Sequence, residues 1–253
     1  MKNKFILQAA PQAIALCLLL ILSVNVNSAE GDVGMVAMEQ IPYGFESDDG
    51  KISGVIYDLL KEIRAASGIG LAVDIEPAKR LVATLFRGKR TCTIVVNSPE
   101  IVDVLDVVEP IGFTITAGIL PVAGIKLEDY SDLAGKLIAV PLGIQFDEKF
   151  HNDNSLTKIS TPQYINAIKM MRAGRVDAVA GAISVLKYIA GQEGLTATFF
   201  DKPLVFAESD FYLVCSFKLS KNERAKLQQA VIKLRSNGKI QEILGSYFNL
   251  PKQ

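Results

Sequence analysis

The chain has no tryptophan, one histidine and three cysteines in 253 residues, and its formal charge is zero. Each scarcity removes a class of function. One histidine and scattered cysteines cannot build a zinc site of the usual Cys/His type. No Ser/His/Asp set assembles around the lone His151, which lies in the polar stretch HNDNS and reads as an exposed loop residue. There is no Gly-x-Ser-x-Gly nucleophile elbow. The balance of charge lacks the basic stripe that nucleic acid demands. Beyond the first 29 residues no apolar run approaches the 18 or more of a membrane-spanning helix. These absences point to a protein with no catalytic set, no metal and no cofactor.

What is present begins with residues 1–29. Lys2 and Lys4 precede the uncharged apolar run Ala13–Val24, and the small residues Ser28 and Ala29 follow before Glu30. The run is too short to cross a bilayer, which needs about 20 apolar residues, but fits the core of an export signal. Cleavage after Ala29 places Asn27 at the −3 position, and cleavage after Ser28 places Val26 there. Leu16 before Cys17 is too large for a lipoprotein processing site. The remaining chain carries 25 Lys+Arg against 27 Asp+Glu. It is long enough for one large domain or two lobes.

Hydrophobic runs and helical patterns alternate along it. Val33–Met38 predicts a strand and Ile41–Gly50 a loop. The spacing of Val55, Ile56, Leu59, Leu60, Ile63 and Ala66 predicts a helix over 55–67, ended by Gly68 and Gly70. A strand at 71–75, a helix at 79–86 and a strand at 91–96 complete a β-loop-α-β-α-β unit, which implies a mostly parallel sheet flanked by helices. The pattern recurs with strands at 118–123, 136–140, 157–160 and 176–180 and helices at 162–172 and 183–192. LFRGKRTCTIV (85–95) and MMRAGRVDAVA (170–180) share one design: helix end, glycine, basic residue, strand. A strand at 210–216 and helices at 221–238 and 240–248 close the chain. The simplest layout inserts a second lobe (116–205) into a first (30–115 and 206–253), with two crossing strands as a hinge.

Four stretches then resemble a known family: IPYGFESDDGKISGVIYDLLKEI (41–63), LEDYSDLAGKLIAVPLG (127–143), AIKMMRAGRVDAV (167–179) and LRSNGKIQEILGSYF (234–248). The chain resembles the periplasmic solute-binding proteins of ABC transporters, in the amino-acid-binding group called family 3. The resemblance implies a two-lobed α/β fold of the type II periplasmic-binding-protein kind. It further implies a periplasmic monomer, a small polar ligand (anionic or amino-acid-like) in the cleft, and delivery to a membrane permease. If the first lobe follows the family, the strands of Cys92 and Cys215 are neighbours; otherwise the two are small buried hydrophobes.

Two departures stand out. The family's Ser/Thr-x-Glu-Arg reads Ser98-Pro99-Glu100-Ile101 here, without the arginine that would fork onto a carboxylate. The family's ligand-binding aspartate falls near Gly181-Ala182, while Asp177 keeps a place that is structural in the family. Candidate ligand residues are therefore Glu39 and Tyr43 after the first strand and Arg80 at the start of the second helix, a place the resemblance puts on the cleft. An anion there would meet a guanidinium and a helix N-terminus together. Asn97 and Ser98 end a strand where α/β sheets bind ligands. Gly143, Ile144 and Gln145 offer backbone N–H groups in the matching loop of the second lobe. Glu208 and Asp210 flank the second crossing. Two other readings stand beside transport: a sensory or scaffold protein, and a dehydratase-like enzyme on the same fold, with Glu39 or Glu208 as its acid or base.

Overall fold

The computed structural model describes residues 33–70, 72–87, 91–96, 103, 105–143, 145–216 and 219–248. The expected export signal over 1–29 lies outside the described residues. Among them, no helix is long and apolar enough to cross a membrane.

Among the described residues, ten strands and seven α-helices follow in chain order. These are β1 (Gly34–Met38), β2 (Phe45–Glu46), β3 (Ile52–Ser53), α1 (Val55–Ser67), β4 (Val73–Glu76), α2 (Ala78–Phe86), β5 (Thr91–Val96) and β6 (Asp106–Pro121). Next come β7 (Leu137–Pro141), α3 (Glu148–Asn152), β8 (Thr157–Thr161), α4 (Tyr164–Arg172), β9 (Ala178–Ala182) and α5 (Ile183–Gln192). The last are β10 (Leu204–Cys215), α6 (Lys221–Ser236) and α7 (Lys239–Phe248).

α1 and α5 begin and end where their apolar spacing predicts. α1 buries Val55, Ile56, Leu59, Leu60 and Ile63, one stripe at helical period. It stops at Gly68, which is left-handed (φ 67°) and returns its N–H to the Arg64 carbonyl. α6 starts on a capping box in which Ser220 and Glu223 each bind the other's backbone N–H. β2 lies inside the segment expected to be loop and pairs with β3, just past Gly50, as a small hairpin.

Eight strands make one sheet in the order β4-β1-β5-β10-β6-β9-β7-β8. β4, β1 and β5 are parallel, and so are β8, β7 and β9. β10 runs antiparallel to β5 and β6, and β9 antiparallel to β6. β6 is far longer than the predicted strand at 118–123. Pro110 and Gly112 (φ 80°) read locally as breakers, yet the ladder absorbs them at a register shift between Asp210 and Tyr212 of β10.

One apolar body runs along one face of the whole sheet. It joins Leu60 and Ile63 of α1, Ile115 and Leu120 of β6, Ile168 of α4, Leu186 of α5, Val231 of α6 and Leu244 of α7. Full burial of each such side chain contributes about 1.5–3 kcal/mol. Two smaller clusters line the other face. One packs α2 through Leu81 and Leu85 onto Val36 and Val214, and the other gathers Phe150, Leu133, Ile138 and Ala180. Cys92 of β5 and Cys215 of β10 stand opposite each other and are joined as a disulfide.

Candidate interlobe cleft

The register places the carboxyl ends of two strand sets head to head. At the end of β5, Val96 pairs with Phe211 of β10. At the end of β9, Ala182 pairs with Ala117 of β6. The strands of the first set (β4, β1, β5) point one way and those of the second (β8, β7, β9) the other. Among the described residues, β6 and β10 alone continue between them, through the pairs Thr114–Asp210, Ile115–Ser209 and Thr116–Glu208. Ligands of open α/β sheets bind outside the carboxyl ends of strands. Here two such edges face one another across a floor of two crossing strands.

Glu39 follows β1 directly. Its backbone N–H donates to the Glu76 carbonyl at 2.8 Å, and its side chain is exposed. Tyr43 sits in the loop that leads to α1. Its carbonyl accepts the N–H groups of Ile56 (3.0 Å) and Tyr57 (3.1 Å), so the loop caps the helix. This close seat requires glycine at 54, where φ is 139° and a Cβ would meet the Tyr43 carbonyl oxygen at 2.4 Å. The half-buried Tyr43 ring stands edge-on to Phe211 at 6.0 Å. Burial holds its phenol protonated far above the usual tyrosine range, and the Tyr164 phenol adds to the shift.

The loop has a second anchor in α7. The Tyr247 hydroxyl accepts the Gly54 N–H at 2.9 Å and donates to Asp58 at 2.7 Å. Arg80 lies in the first turn of α2, exposed, and makes no ion pair among the described residues. Its position follows the β4 end, beside β1 in the sheet, so Glu39 and Arg80 belong to one edge. Asn97, Ser98 and Ile144 lie outside the described residues.

On the opposing edge, Gly143 is left-handed (φ 79°) and exposed, in a turn whose Leu142 N–H donates to the Thr161 carbonyl at 2.9 Å. Gln145 is exposed and borders a surface hollow of about 510 Å³ with Phe146, Asp147, Glu148, His151 and Asn152. On the floor, the exposed carboxylate of Asp210 accepts a hydrogen bond from the Thr114 hydroxyl of the paired strand. Glu208 is exposed opposite Thr116. Asp177 accepts the Leu137 N–H at 2.7 Å, a bond between neighbouring strands.

Sequence reasoning passed over Tyr164. It opens α4 after β8, is 7% exposed, and its hydroxyl accepts the Ala182 N–H at 3.3 Å. Gly181 (φ 149°) has no side chain because the ring fills that space: a Cβ there would meet Tyr164 Cε1 at 2.4 Å. An aromatic at a helix start, after a Thr-Pro strand end, was the available signal.

No protein-family model and no curated protein matches the chain. Solved structures do. An arginine-binding protein mutant from T. maritima is 18% identical, with 86% of this chain and 96% of that one covered at a TM-score of 0.66. A histidine kinase sensor domain described as similar to periplasmic binding proteins is 17% identical (87% and 98% covered, TM-score 0.66). The second substrate-binding domain of a putative amino acid ABC transporter from Streptococcus pneumoniae is 17% identical (86% and 99% covered, TM-score 0.65). Likeness over nearly the whole of each chain, together with the opposed strand sets and the two crossing strands, gives the conclusion that this chain has the two-lobed, type II periplasmic-binding-protein fold.

Proposed function

We propose that the chain is a periplasmic solute-binding protein. It captures a small polar ligand, anionic or amino-acid-like, between its lobes and presents it to an ABC permease. The observation that carries this reading is the opposition of the two strand sets across Thr114–Thr116 and Glu208–Asp210. Lobes over 30–115 with 206–253 and over 116–205 would then turn about β6 and β10. Glu39, Tyr43 and Arg80 would meet the ligand from one side, Gly143 from the other, and Asp210 from the floor. The three solved structures above are a binding protein, a substrate-binding domain and a sensor domain, which supports binding over catalysis. The buried disulfide supports an oxidising compartment, as the leading 29 residues do.

Closure works by population. Contacts made only in the closed form shift an equilibrium between forms that differ by a few kcal/mol. The test is a thermal-melt screen of amino acids, dicarboxylates and keto acids, followed by solution scattering with any hit. A ligand at about 100 times its dissociation constant adds roughly 2.7 kcal/mol of stability. A hit that contracts the protein, and is weakened by Arg80→Ala, supports the reading. A tight hit that leaves the scattering profile unchanged counts against hinge closure.

A sensory role is the second reading. The observation favouring it is the likeness to a histidine kinase sensor domain. It predicts ligand binding and closure without transport, read as an unchanged uptake rate in cells lacking the protein.

A further inference from the structure

α2 turns one face to the core and leaves an apolar face bare. Leu81 and Leu85 pack onto Val36, Leu105 and Val214. Val82 and Phe86 are 51% and 52% exposed, and Ala78, one turn earlier, is exposed as well. Positions 78, 82 and 86 follow one another four residues apart, so they share one side of the helix. Single exposed apolar residues are ordinary, but two large ones on successive turns of one short helix form a patch.

Cations frame that patch. Lys79 lies three residues before Val82, and Arg87 closes the helix directly after Phe86. Both are exposed, and neither forms an ion pair among the described residues. Glu76 is engaged by Thr84, whose hydroxyl donates to it at 3.0 Å. The stretch 77–99 holds Lys79, Arg80, Arg87, Lys89 and Arg90 with no Asp or Glu, the last two cations lying outside the described residues. The rest of 30–253 carries 20 Lys+Arg against 27 Asp+Glu. Charge is therefore segregated, with a basic helix on an otherwise acidic chain.

What covers such a face has to be apolar beneath and anionic above. An anionic bilayer is both: apolar side chains enter the acyl boundary while long Lys and Arg stems reach the headgroups. A protein partner fits less well, because two side chains fall far short of the roughly 800 Å² per partner that a stable interface takes. Nucleic acid presents a polar surface that gives Val82 and Phe86 nothing to enter.

We propose that α2 is a membrane-contact element. Val82 and Phe86 insert shallowly into an anionic lipid surface, and Lys79 and Arg87 hold the headgroup phosphates. The acidic remainder of the chain is repelled by the same surface, which orients the protein with α2 toward the lipid. The proposal stands whatever the cleft binds.

The test is co-sedimentation of residues 30–253 with phosphatidylglycerol vesicles. Leaving out 1–29 removes the apolar leading run as a competing anchor, and the described core begins at Val33. The protein should sediment with these vesicles, stay in solution with phosphatidylcholine vesicles, and be released as salt is raised to about 0.5 M. Val82→Gln with Phe86→Gln, and separately Lys79→Gln with Arg87→Gln, should each lower the partition coefficient about tenfold or more. Melting midpoints should not move, because all four side chains are exposed and glutamine is a good helix former. No sedimentation, or equal binding to the neutral vesicles, overturns the proposal. So does undiminished binding by either variant. A dimer in light scattering that ignores vesicles and dissociates in the Val82/Phe86 variant also overturns it, and makes α2 a contact between copies.

Discussion

Tyr164 and Gly181 occupy one space between them: the tyrosine ring rests where a side chain at 181 would stand, 2.4 Å from the position of its Cβ. The pair ties the start of α4 to the end of β9, at the edge that faces the first lobe. Gly181 is also at φ 149°, a conformation that costs any other residue strain.

Gly181→Ala is therefore expected to destabilise the protein by about 1–3 kcal/mol through overpacking alone, with the backbone strain added. At roughly 2–4 °C per kcal/mol for a chain of this size, the melting midpoint falls by several degrees. A melting curve identical to wild type would mean the ring does not sit there.

The disulfide should contribute strongly. Cys92 and Cys215 are 123 residues apart, both are fully buried, and they face each other across β5 and β10. Replacing both by alanine is expected to cost about 2–5 kcal/mol. Mass spectrometry of the alkylated, unreduced chain should find these two thiols protected, and labelling of both without reductant would contradict the pairing.

Arg235 braces the crossing strand from outside. It donates to Glu109 at 2.9 Å and to the Pro110 carbonyl, and its stem lies against Gly112. Gln228 also donates to Glu109 at 2.9 Å. Arg235→Ala leaves Glu109, which is mostly shielded, with a neutral partner only, at an expected cost of about 1.5–3 kcal/mol. Urea titration of the variant against Arg235→Lys checks it, because lysine keeps the charge but not the fork. Equal stability of all three proteins would contradict the brace.

His151 predicts a pH dependence. Burial, and then the Lys158 ammonium, push its imidazole below the ordinary value of about 6.5, with Asp147 opposing. Its Nε2 accepts the Phe146 N–H at 3.3 Å, which only the uncharged ring can do. Above the ordinary value neither folded nor unfolded chain is protonated at this site. As pH falls below it the unfolded chain binds the proton first, so stability declines until the folded value is passed. Asp49, Asp129 and Asp153 are lowered from a carboxylate value and act only in more acid solution. Melting midpoints compared at about pH 7.5 and pH 5.5 should drop for wild type and drop less for His151→Gln. Equal drops would contradict the assignment.

The sequence alone determined the local elements. The apolar stripe of α1, its glycine stop, the alternation of strand and helix, and the bounds of α5 all follow from side-chain period and backbone freedom within a few turns of chain. Those same signals placed Glu39, Tyr43 and Arg80 after strands and at a helix start. The tertiary structure alone decided the rest. β6 passes through Pro110 and Gly112 because β10 pairs along it and takes up the irregularity in its register. Cys92 meets Cys215, and Tyr164 meets Gly181, because strands distant in sequence are neighbours in the sheet. The head-to-head strand ends that make the candidate cleft depend on strand direction and order. Those are set by hydrogen bonding and burial between segments far apart in the chain, which no local window of sequence contains.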